Sequence, residues 1–554
     1  MRLARLLSIV SSTTPPRWVV PSFFLAVLLL GLALFRDYGV SWDEPIDQYN
    51  GVVNVNYVGQ QLGIPTLAEG LEDYPDIPPL REYPDRDHGP AFEYPVLLFS
   101  KLLGARDSQP LYYLRHLCTF LITFGGLLAF YGLAKRRFAD WRLGLLAAFW
   151  LLATPRLFAE GFYNAKDAVF LSFFTISMYT LAELLHAPNW RRGLWHGLAC
   201  GAAIGLRVNG VLLLPLTVLG AVLTAAATPA LRRQLASSLL AWVPLTAGTA
   251  VLLWPWLWEA PWQNLVTAFE NLSSFQRLDS PVFYRGVMEN TLRLPWHYPF
   301  VWIVITTPLV YLGAFALGLL LLLRRVVGYF PHLWRTAAGR LDVLFGAWLF
   351  GPLVAVLVLH SVLYDGWRHL YFIYPALLLF AVSGMQQLLR ARRTGHSTKV
   401  RSAAAVLLGL TALGSLEPLW RIVRDHPHQQ VYFNNLLSAD DIENGYERDY
   451  WGLSYRQGLE WILQHDDAPR IRVATQNNGL LKINLRILSP AERARLEVVP
   501  KEQADYFLGF YRWHPQPYLA TEGLGWAIHH EYSNGVKILS IQRREQPAST
   551  AATP

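Results

Sequence analysis

The sequence predicts a mostly α-helical protein that crosses a membrane many times and carries a small mixed α/β domain at its C-terminal end. Three observations predict this class. Hydrophobic residues make up 53% of the 554 residues and charged residues only 16%, whereas soluble proteins carry about 25% charged residues. Leu-rich apolar runs of about 18 or more residues recur, each long enough to cross a bilayer. After about residue 420 the pattern changes to short β-rich segments separated by turn residues.

The net charge of +8 does not indicate a nucleic-acid partner. Most Lys and Arg residues lie in short segments beside apolar runs, where they set membrane topology. Cys118 and Cys200 both fall inside apolar runs, so neither a structural disulfide nor a cysteine metal site is expected. We therefore expect membrane lipid, and no nucleic acid, among the partners.

Residues 1–420 are predicted to form the membrane region, with about eleven spans. The first span, 18–35, follows three arginines. We expect it to be a retained signal anchor, because it is longer than the apolar core of a signal peptide and lacks a small-residue cleavage site. The later spans are expected near 111–134, 143–158, 167–186, 193–207, 210–227, 236–257, 299–323, 341–362, 369–388 and 403–420.

The basic clusters of this arrangement all fall on the side of the N-terminus. The positive-inside rule makes that side cytoplasmic. The acidic first loop and the C-terminal region then lie on the non-cytoplasmic side of a plasma (inner) membrane. Residues 421–545 are predicted to form the α/β domain, with a helix at 455–464, and 546–554 a disordered tail.

The first outer loop is strongly acidic. Between Asp37 and Pro110 there are thirteen acidic residues and four basic ones. The pair Asp43-Glu44 lies only a few residues past the first span, at the depth of lipid headgroups. It is either the N-terminus of a loop helix, where acidic residues and proline are favoured, or a general base beside a lipid-linked substrate.

The same loop contains a second polar segment at 85–95, before an apolar stretch at 96–103 that is too short to span the membrane and is expected to lie along the interface. His88 and Glu93 are its candidate site residues. His88 is either a polar group on a surface loop or, with Asp87, half of a metal pair. Two ligands at this spacing do not make a zinc pattern.

Two further groups of charged residues flank later spans. Lys166 and Asp167 lie at the mouth of one helix, either as a plain ion pair or as contacts for a sugar or phosphate. Arg368 and His369 follow the turn dipeptide Asp-Gly on the outer side, against the positive-inside bias, either as part of a hairpin or as phosphate ligands. Arg285, in an aromatic-rich outer loop, is a weaker phosphate candidate.

In order and topology these residues resemble a known group of enzymes. The order of three motifs resembles that in polyprenyl-phosphate-dependent GT-C glycosyltransferases. These motifs are the pair Asp43-Glu44, the segment that begins at His88 and the segment from Asn164 to Asp167. The narrower resemblance is to the protein O-mannosyltransferase and aminoarabinose-transferase-like group, glycosyltransferase family 39 and its relatives. It covers roughly residues 1–420.

The chain departs from that family pattern in the second motif, which has Gly89 and Ala91 at two of its four positions. The segments 426–434 and 447–452 look like a recurring feature of bacterial members of the group.

The resemblance implies a GT-C fold and an inverting transfer of one hexose or pentose from a polyprenyl-phosphate donor to an acceptor hydroxyl or amine in the cell envelope. It implies Asp43 as general base, with Glu44 as its partner. No cofactor is expected, and a divalent metal is not indicated. The acceptor is not named by the sequence.

The resemblance also distributes the other candidates between the two substrates. Asp167, His88 and Glu93 would contact the acceptor or the sugar. The donor phosphate would be bound by cations on the outer side, which are Arg368, His369, Lys166 and Arg285. Such preorganised cations stabilise the charge that develops on a leaving phosphate.

Two other functional classes remain open from the sequence. One is a transporter or flippase of a lipid-linked saccharide, a class in which ionisable residues lie inside spans and halves of the chain often repeat. The other is a binding or scaffold protein in which the C-terminal domain does the work and the acidic loop is a solubilising surface.

Overall fold

The computed structural model describes residues 15–64, 76–104, 107–274, 279–520 and 524–544. The N-terminal region is almost entirely helical. Its helices α1–α17 are Val19–Leu34, Glu44–Leu62, Glu93–Leu103, Ser108–Phe138, Trp141–Leu152, Pro155–Tyr163, Asp167–His186, Trp190–Leu206, Leu213–Ala227, Arg232–Leu253, Pro261–Ser274, Tyr298–Thr306, Leu309–Leu333, Ala337–Leu359, Tyr374–Thr394, Thr398–Gly414 and Leu416–Arg424. A short hairpin of β1 (Pro281–Tyr284) and β2 (Val287–Asn290) interrupts them.

The described residues contain eight helices that are long and apolar enough to cross a membrane, or nine if the bent pair α5–α6 is one span. The protein is therefore a multi-pass membrane protein, as the sequence predicts. Helix α1, the expected signal anchor, has 16 residues and is shorter than these eight. The predicted count of eleven is not confirmed.

Two spans predicted as continuous are broken, and that part of the prediction is wrong. The run at 143–158 divides at Thr154 into α5 and α6, which bend by 72°. The run at 299–323 divides at Thr307 into α12 and α13. A proline follows each break, and the residue before proline is driven into extended geometry, as the ψ of 107° at Thr154 and 134° at Thr307 records.

Helices α8 and α10 pack against each other over much of their length. Glycines recur every fourth residue along one face of α8, and a Cβ at Gly193 would lie 2.2 Å from the backbone oxygen of Ser238 in α10. Small residues at this spacing let two membrane helices approach closely. This packing positions the C-terminal end of α8, where Gly205 accepts a hydrogen bond from the backbone N–H of Ala91 in the first loop.

The first loop, between α1 and α4, contains α2 and α3. Helix α3 exposes Leu98, Phe99, Leu102 and Leu103, which fits a helix that lies along the membrane interface, as predicted for residues 96–103.

The C-terminal region folds as an α/β unit. Helices α18–α21 are Ala439–Gly445, Ser454–His465, Asn478–Leu485 and Pro490–Ala494, and strands β3–β7 are Ile471–Thr475, Leu496–Val498, Tyr506–Phe510, Leu524–Ser533 and Val536–Arg544. The sheet order is β4-β3-β5-β7-β6, with β3 parallel to β4 and β5, and β7 antiparallel to β5 and β6. The strands lie where the sequence predicts β-rich segments.

The mostly α membrane fold with a small C-terminal α/β unit is thus confirmed, whereas the domain boundary near residue 421 stays a prediction. The chain between the two parts contacts the membrane helices directly: the side-chain amide of Asn434 donates to the backbone oxygens of Val304 and Thr307 at 2.6 and 2.7 Å. The predicted disordered tail at 546–554 lies outside the described residues.

Candidate active site

Asp43 immediately precedes helix α2, but its side chain does not cap that helix. The helix begins at Glu44 with Pro45 in its first turn, so the helix-start interpretation of the acidic pair is correct for the backbone. The Asp43 side chain makes no capping hydrogen bond. Its Oδ2 instead accepts a hydrogen bond from Nη1 of Arg368 at 2.9 Å. The pair therefore does more than start a helix.

Arg368 connects three carboxylates from three parts of the chain. It lies at the start of a 3₁₀ turn, Arg368–Ile373, and its side chain is only 3% exposed. Its Nη1 donates to Asp43 and also to Oδ2 of Asp167, both at 2.9 Å, and its Nη2 lies 3.2 Å from Asp365. The ring of Trp451 lies 4.8 Å from its guanidinium carbon. The planar fork of arginine suits such a shared position.

Asp167 begins helix α7 and is held from two sides. Its backbone N–H donates to Oδ1 of Asn164 at 2.7 Å, which fixes the start of the helix. Its carboxylate forms ion pairs with Arg368 and with Arg207. The sequence analysis did not select Arg207, which follows α8 directly. The available signal was its interruption of a nearly continuous apolar run, since a charge at membrane depth is costly.

Lys166 adds a third cation to this cluster. Its Nζ lies 3.1 Å from Oδ1 of Asp47, one helical turn after Asp43 in α2. We call the six residues Asp43, Asp47, Lys166, Asp167, Arg207 and Arg368 the ionic cluster. It gathers three carboxylates and three cations from four chain segments.

The pKa values of the ionic cluster follow from burial and neighbouring charge. Burial raises the pKa of Asp43, but the nearby charges of Arg368, Lys166 and Arg207 outweigh it and leave that pKa below its ordinary value. Burial dominates at Asp47 and raises its pKa, although Lys166 opposes the shift. Burial lowers the pKa of Arg207 to about 10, so the guanidinium stays charged at neutral pH.

Glu44 and Glu93 contact His116 and Arg115 rather than the cations of the ionic cluster. Glu44 accepts from the backbone N–H of Ser41 at 2.7 Å and lies 3.1 Å from Nε2 of His116. Glu93 accepts from both terminal nitrogens of the fully buried Arg115, at 2.5 and 3.0 Å. These contacts anchor the first loop to α4, and the predicted substrate roles of Glu44 and Glu93 stay predictions.

His88 lies in a small cavity that Arg207 also lines, so its segment is brought beside the ionic cluster. Its neighbour Gly89 explains the departure from the family motif: a Cβ there would lie 2.1 Å from the backbone oxygen of Gly205. Asp85, Asp87 and His88 also place their ligand atoms within 4.8 Å of one another, so among the described residues they form a group that could hold a cation.

The remaining two candidates differ in position. His369 follows Arg368 and its ring lies 4.5 Å from the ring of Tyr364; its buried Nδ1 has no hydrogen-bond partner among the described residues. Arg285 lies in the turn of the β1–β2 hairpin, with a φ of 53°, and is exposed. None of the contacts recorded for the described chain joins Arg285 to the ionic cluster.

The chain was compared with protein families, curated proteins and solved structures. Residues 87–258 match the family model of dolichyl-phosphate-mannose-protein mannosyltransferases. This match confirms the resemblance predicted from the sequence, over less than half of the chain. It includes His88, Glu93, Lys166, Asp167 and Arg207. None of the curated proteins compared with the chain matches it.

Several solved structures are similar at low identity. The apo oligosaccharyltransferase of Archaeoglobus fulgidus has a TM-score of 0.48 at 12% identity, covering 88% of this chain and 66% of that one, just under two thirds of its length. ArnT from Cupriavidus metallidurans in the apo state has a TM-score of 0.45 at 14% identity, covering 95% and 97%. The same protein bound to undecaprenyl phosphate has a TM-score of 0.45 at 15% identity, covering 95% and 98%.

Proposed function

We propose that the protein is an integral-membrane glycosyltransferase that moves a sugar from a polyprenyl-phosphate donor to an acceptor hydroxyl or amine. The family match over residues 87–258 supports a membrane transferase with a lipid-linked donor. The ionic cluster supports the finer proposal. The reaction takes place at the non-cytoplasmic face of the inner membrane, where the acidic first loop is expected.

This proposal rests on one observation: Nη1 of Arg368 donates hydrogen bonds to both Asp43 and Asp167, each at 2.9 Å. Burying a cation among several carboxylates, beside two further cations, costs free energy. Ionisable residues at such positions in membrane proteins generally have a functional role. Such a cluster offers both of the groups that glycosyl transfer from a phosphate needs, which are a base for the acceptor and a cation for the leaving phosphate.

The reaction is a single inverting displacement. The acceptor oxygen or nitrogen attacks the anomeric carbon of the sugar while the bond from that carbon to the phosphate oxygen breaks. The acceptor proton passes to the carboxylate of Asp43, and polyprenyl phosphate leaves with the bonding electron pair. Asp43 is ionised in the resting protein because cations lower its pKa, so it is able to accept the proton.

The leaving phosphate is bound by Arg368, Lys166 and Arg207. Arginine pairs with phosphate through two parallel N–H donors, and lysine acts as a point charge. In the resting protein the three cations are engaged by Asp43, Asp47 and Asp167. A bound phosphate draws them away from these carboxylates, and the pKa of Asp43 then rises toward the value that makes it a better base.

His88, which lines a small cavity with Arg207, contacts the acceptor or the sugar. Asp167 orients the sugar or acceptor next to Asp43. Glu44 and Glu93 support the loop through their contacts with His116 and Arg115. His369 is the residue that follows Arg368 in the chain. The sugar is a hexose or a pentose, and the acceptor is a component of the cell envelope.

The experiment that tests the proposal uses purified protein in detergent or nanodiscs with a panel of radiolabelled polyprenyl-phosphate hexoses and pentoses, together with an envelope extract as acceptor source. We expect free polyprenyl phosphate to be released from one donor at a rate that depends on added acceptor. If no donor in the panel is consumed, the glycosyltransferase proposal is overturned and transport of a lipid-linked saccharide becomes the candidate to test in proteoliposomes.

A further inference from the structure

An arginine of the C-terminal α/β unit pairs with Asp365, which is itself an ion-pair partner of Arg368. Arg512 lies two residues beyond strand β5 and is largely buried, with 12% of its side chain exposed. Its Nη2 forms a close ion pair with Oδ1 of Asp365. The other carboxylate oxygen of Asp365 lies 3.2 Å from Nη2 of Arg368. Asp365 therefore lies between an arginine of the α/β unit and the arginine of the ionic cluster.

Residues 447–452 hold this connection in place. Arg512 donates to the backbone oxygen of Tyr450 at 3.2 Å, and its Nε lies 3.5 Å from Glu447. The ring of the next residue, Trp451, lies 4.8 Å from the guanidinium carbon of Arg368. Residues 447–452, which the sequence marks as a recurring feature, thus pack between the two arginines.

The charges of Arg512, Asp365 and Arg368 alternate in sign along this connection. Glu447 adds a further acidic group beside Arg512. Burial raises the pKa of Glu447 to about 7, although Arg512 opposes the shift, so part of the Glu447 population is neutral at neutral pH. Of the two carboxylates beside Arg512, Asp365 raises the pKa of its guanidinium more than Glu447 does. Asp365 in turn is only 7% exposed, so solvent screens its pairs weakly.

We infer that Arg512 is a positioning residue for the donor phosphate, acting through Asp365 on the guanidinium of Arg368. This inference rests on the proposed function. With Arg512 in place, Asp365 divides its negative charge between two arginines. Without Arg512, Asp365 pairs with Arg368 alone, draws its Nη2 toward itself and leaves less positive charge for the phosphate.

The substitutions Arg512→Gln and Asp365→Asn, alone and together, test the inference. For Arg512→Gln we expect a KM for the donor about tenfold to a hundredfold higher, because one buried charge-assisted pair is lost. The kcat should change less. Inhibition by added polyprenyl phosphate should weaken by a similar factor.

The double variant separates an effect through Asp365 from an independent one. If Arg512 acts through Asp365, the donor KM of the double variant equals that of Asp365→Asn. If the two losses multiply, Arg512 acts on its own and the inference is wrong. Arg512→Lys keeps the charge and should recover most of the affinity, whereas a general folding defect would not be repaired by that change.

Arg472→Gln is the matched control. Arg472 pairs with Asp505 at 2.7 Å in the same sheet, but on its exposed side. The Arg472→Gln variant should keep the donor KM of the unsubstituted protein. Thermal unfolding in detergent should show that all variants are folded. An inactive unsubstituted protein overturns the proposed function, whereas an active one with an unchanged donor KM in Arg512→Gln overturns the inference alone.

Discussion

The carboxylate of Asp43 accepts a hydrogen bond from Arg368 at 2.9 Å, although 325 residues separate them in the chain. Asp43 lies at the N-terminus of a loop helix, and Arg368 opens a 3₁₀ turn before α15. A side chain at that position of a helix ordinarily caps its own backbone. Because Asp43 pairs with Arg368 instead, the first loop and the late membrane helices must come together for the candidate active site to form.

Arg368→Lys should lower kcat/KM by about a hundredfold or more. Lysine keeps the charge, but it has no planar fork with which to contact three carboxylates at once. The measurement is the initial rate of polyprenyl-phosphate release with the productive donor. A lysine variant with full activity would mean that only the charge of Arg368 matters.

Lys166→Met should shift the acid limb of the pH profile of kcat/KM to higher pH. Burial raises the pKa of Asp43, and the charge of Lys166 is among those that lower it below its ordinary value. Removing that cation raises the pKa of Asp43, so the base takes up its proton at a higher pH and activity is lost earlier on acidification. Lys482→Met, at an exposed lysine of the C-terminal unit, is the control and should leave the limb in place. A limb that moves to lower pH would contradict the role of Lys166.

Arg207→Gln should weaken inhibition by added polyprenyl phosphate by about tenfold to a hundredfold, since a buried charge-assisted contact to the phosphate is removed. Arg207 is buried and pairs with Asp167. The control is Arg233→Gln, because Arg233 is exposed at the start of α10. Unchanged product inhibition in Arg207→Gln would remove Arg207 from the phosphate site.

Gly89→Ala should destabilise the protein by about 1–3 kcal/mol, as overpacking does, and should also lower activity. The new Cβ would lie 2.1 Å from the backbone oxygen of Gly205, so His88 or the end of α8 beside Arg207 has to move. Thermal unfolding and kcat/KM measure the two effects. Gly248→Ala in α10 adds the same methyl group where no atom lies within 4 Å, and it should leave both quantities nearly unchanged.

The sequence predicted the residue types of the site better than their partners. Asp43, Lys166, Asp167 and Arg368 were each selected from their position beside an apolar run, and the structure brings all four into one cluster. Arg207 was missed although it interrupts a nearly continuous apolar run, because it belongs to no recognisable motif. An ion pair such as that of Asp365 with Arg512 joins residues 147 positions apart, and no local pattern encodes such a partner.

The fold was predicted well where periodicity decides it and less well at breaks. Strands and the amphipathic helix of the C-terminal unit follow from alternation and from a 3.6-residue period. Membrane helices tolerate proline, so the apolar runs through Pro155 and Pro308 gave no sign that the chain would bend or restart there.

The turnover of Asp43→Asn, compared with that of Asp76→Asn, tests the central claim most directly. Asparagine keeps the size of the Asp43 side chain but cannot accept the acceptor proton, and Asp76 is an exposed acidic residue of the same loop. With the productive donor and its acceptor, Asp43→Asn should release polyprenyl phosphate about a hundredfold to ten-thousandfold more slowly, while Asp76→Asn keeps the unsubstituted rate. An Asp43→Asn protein that turns over at the unsubstituted rate would contradict the assignment of Asp43 as the base.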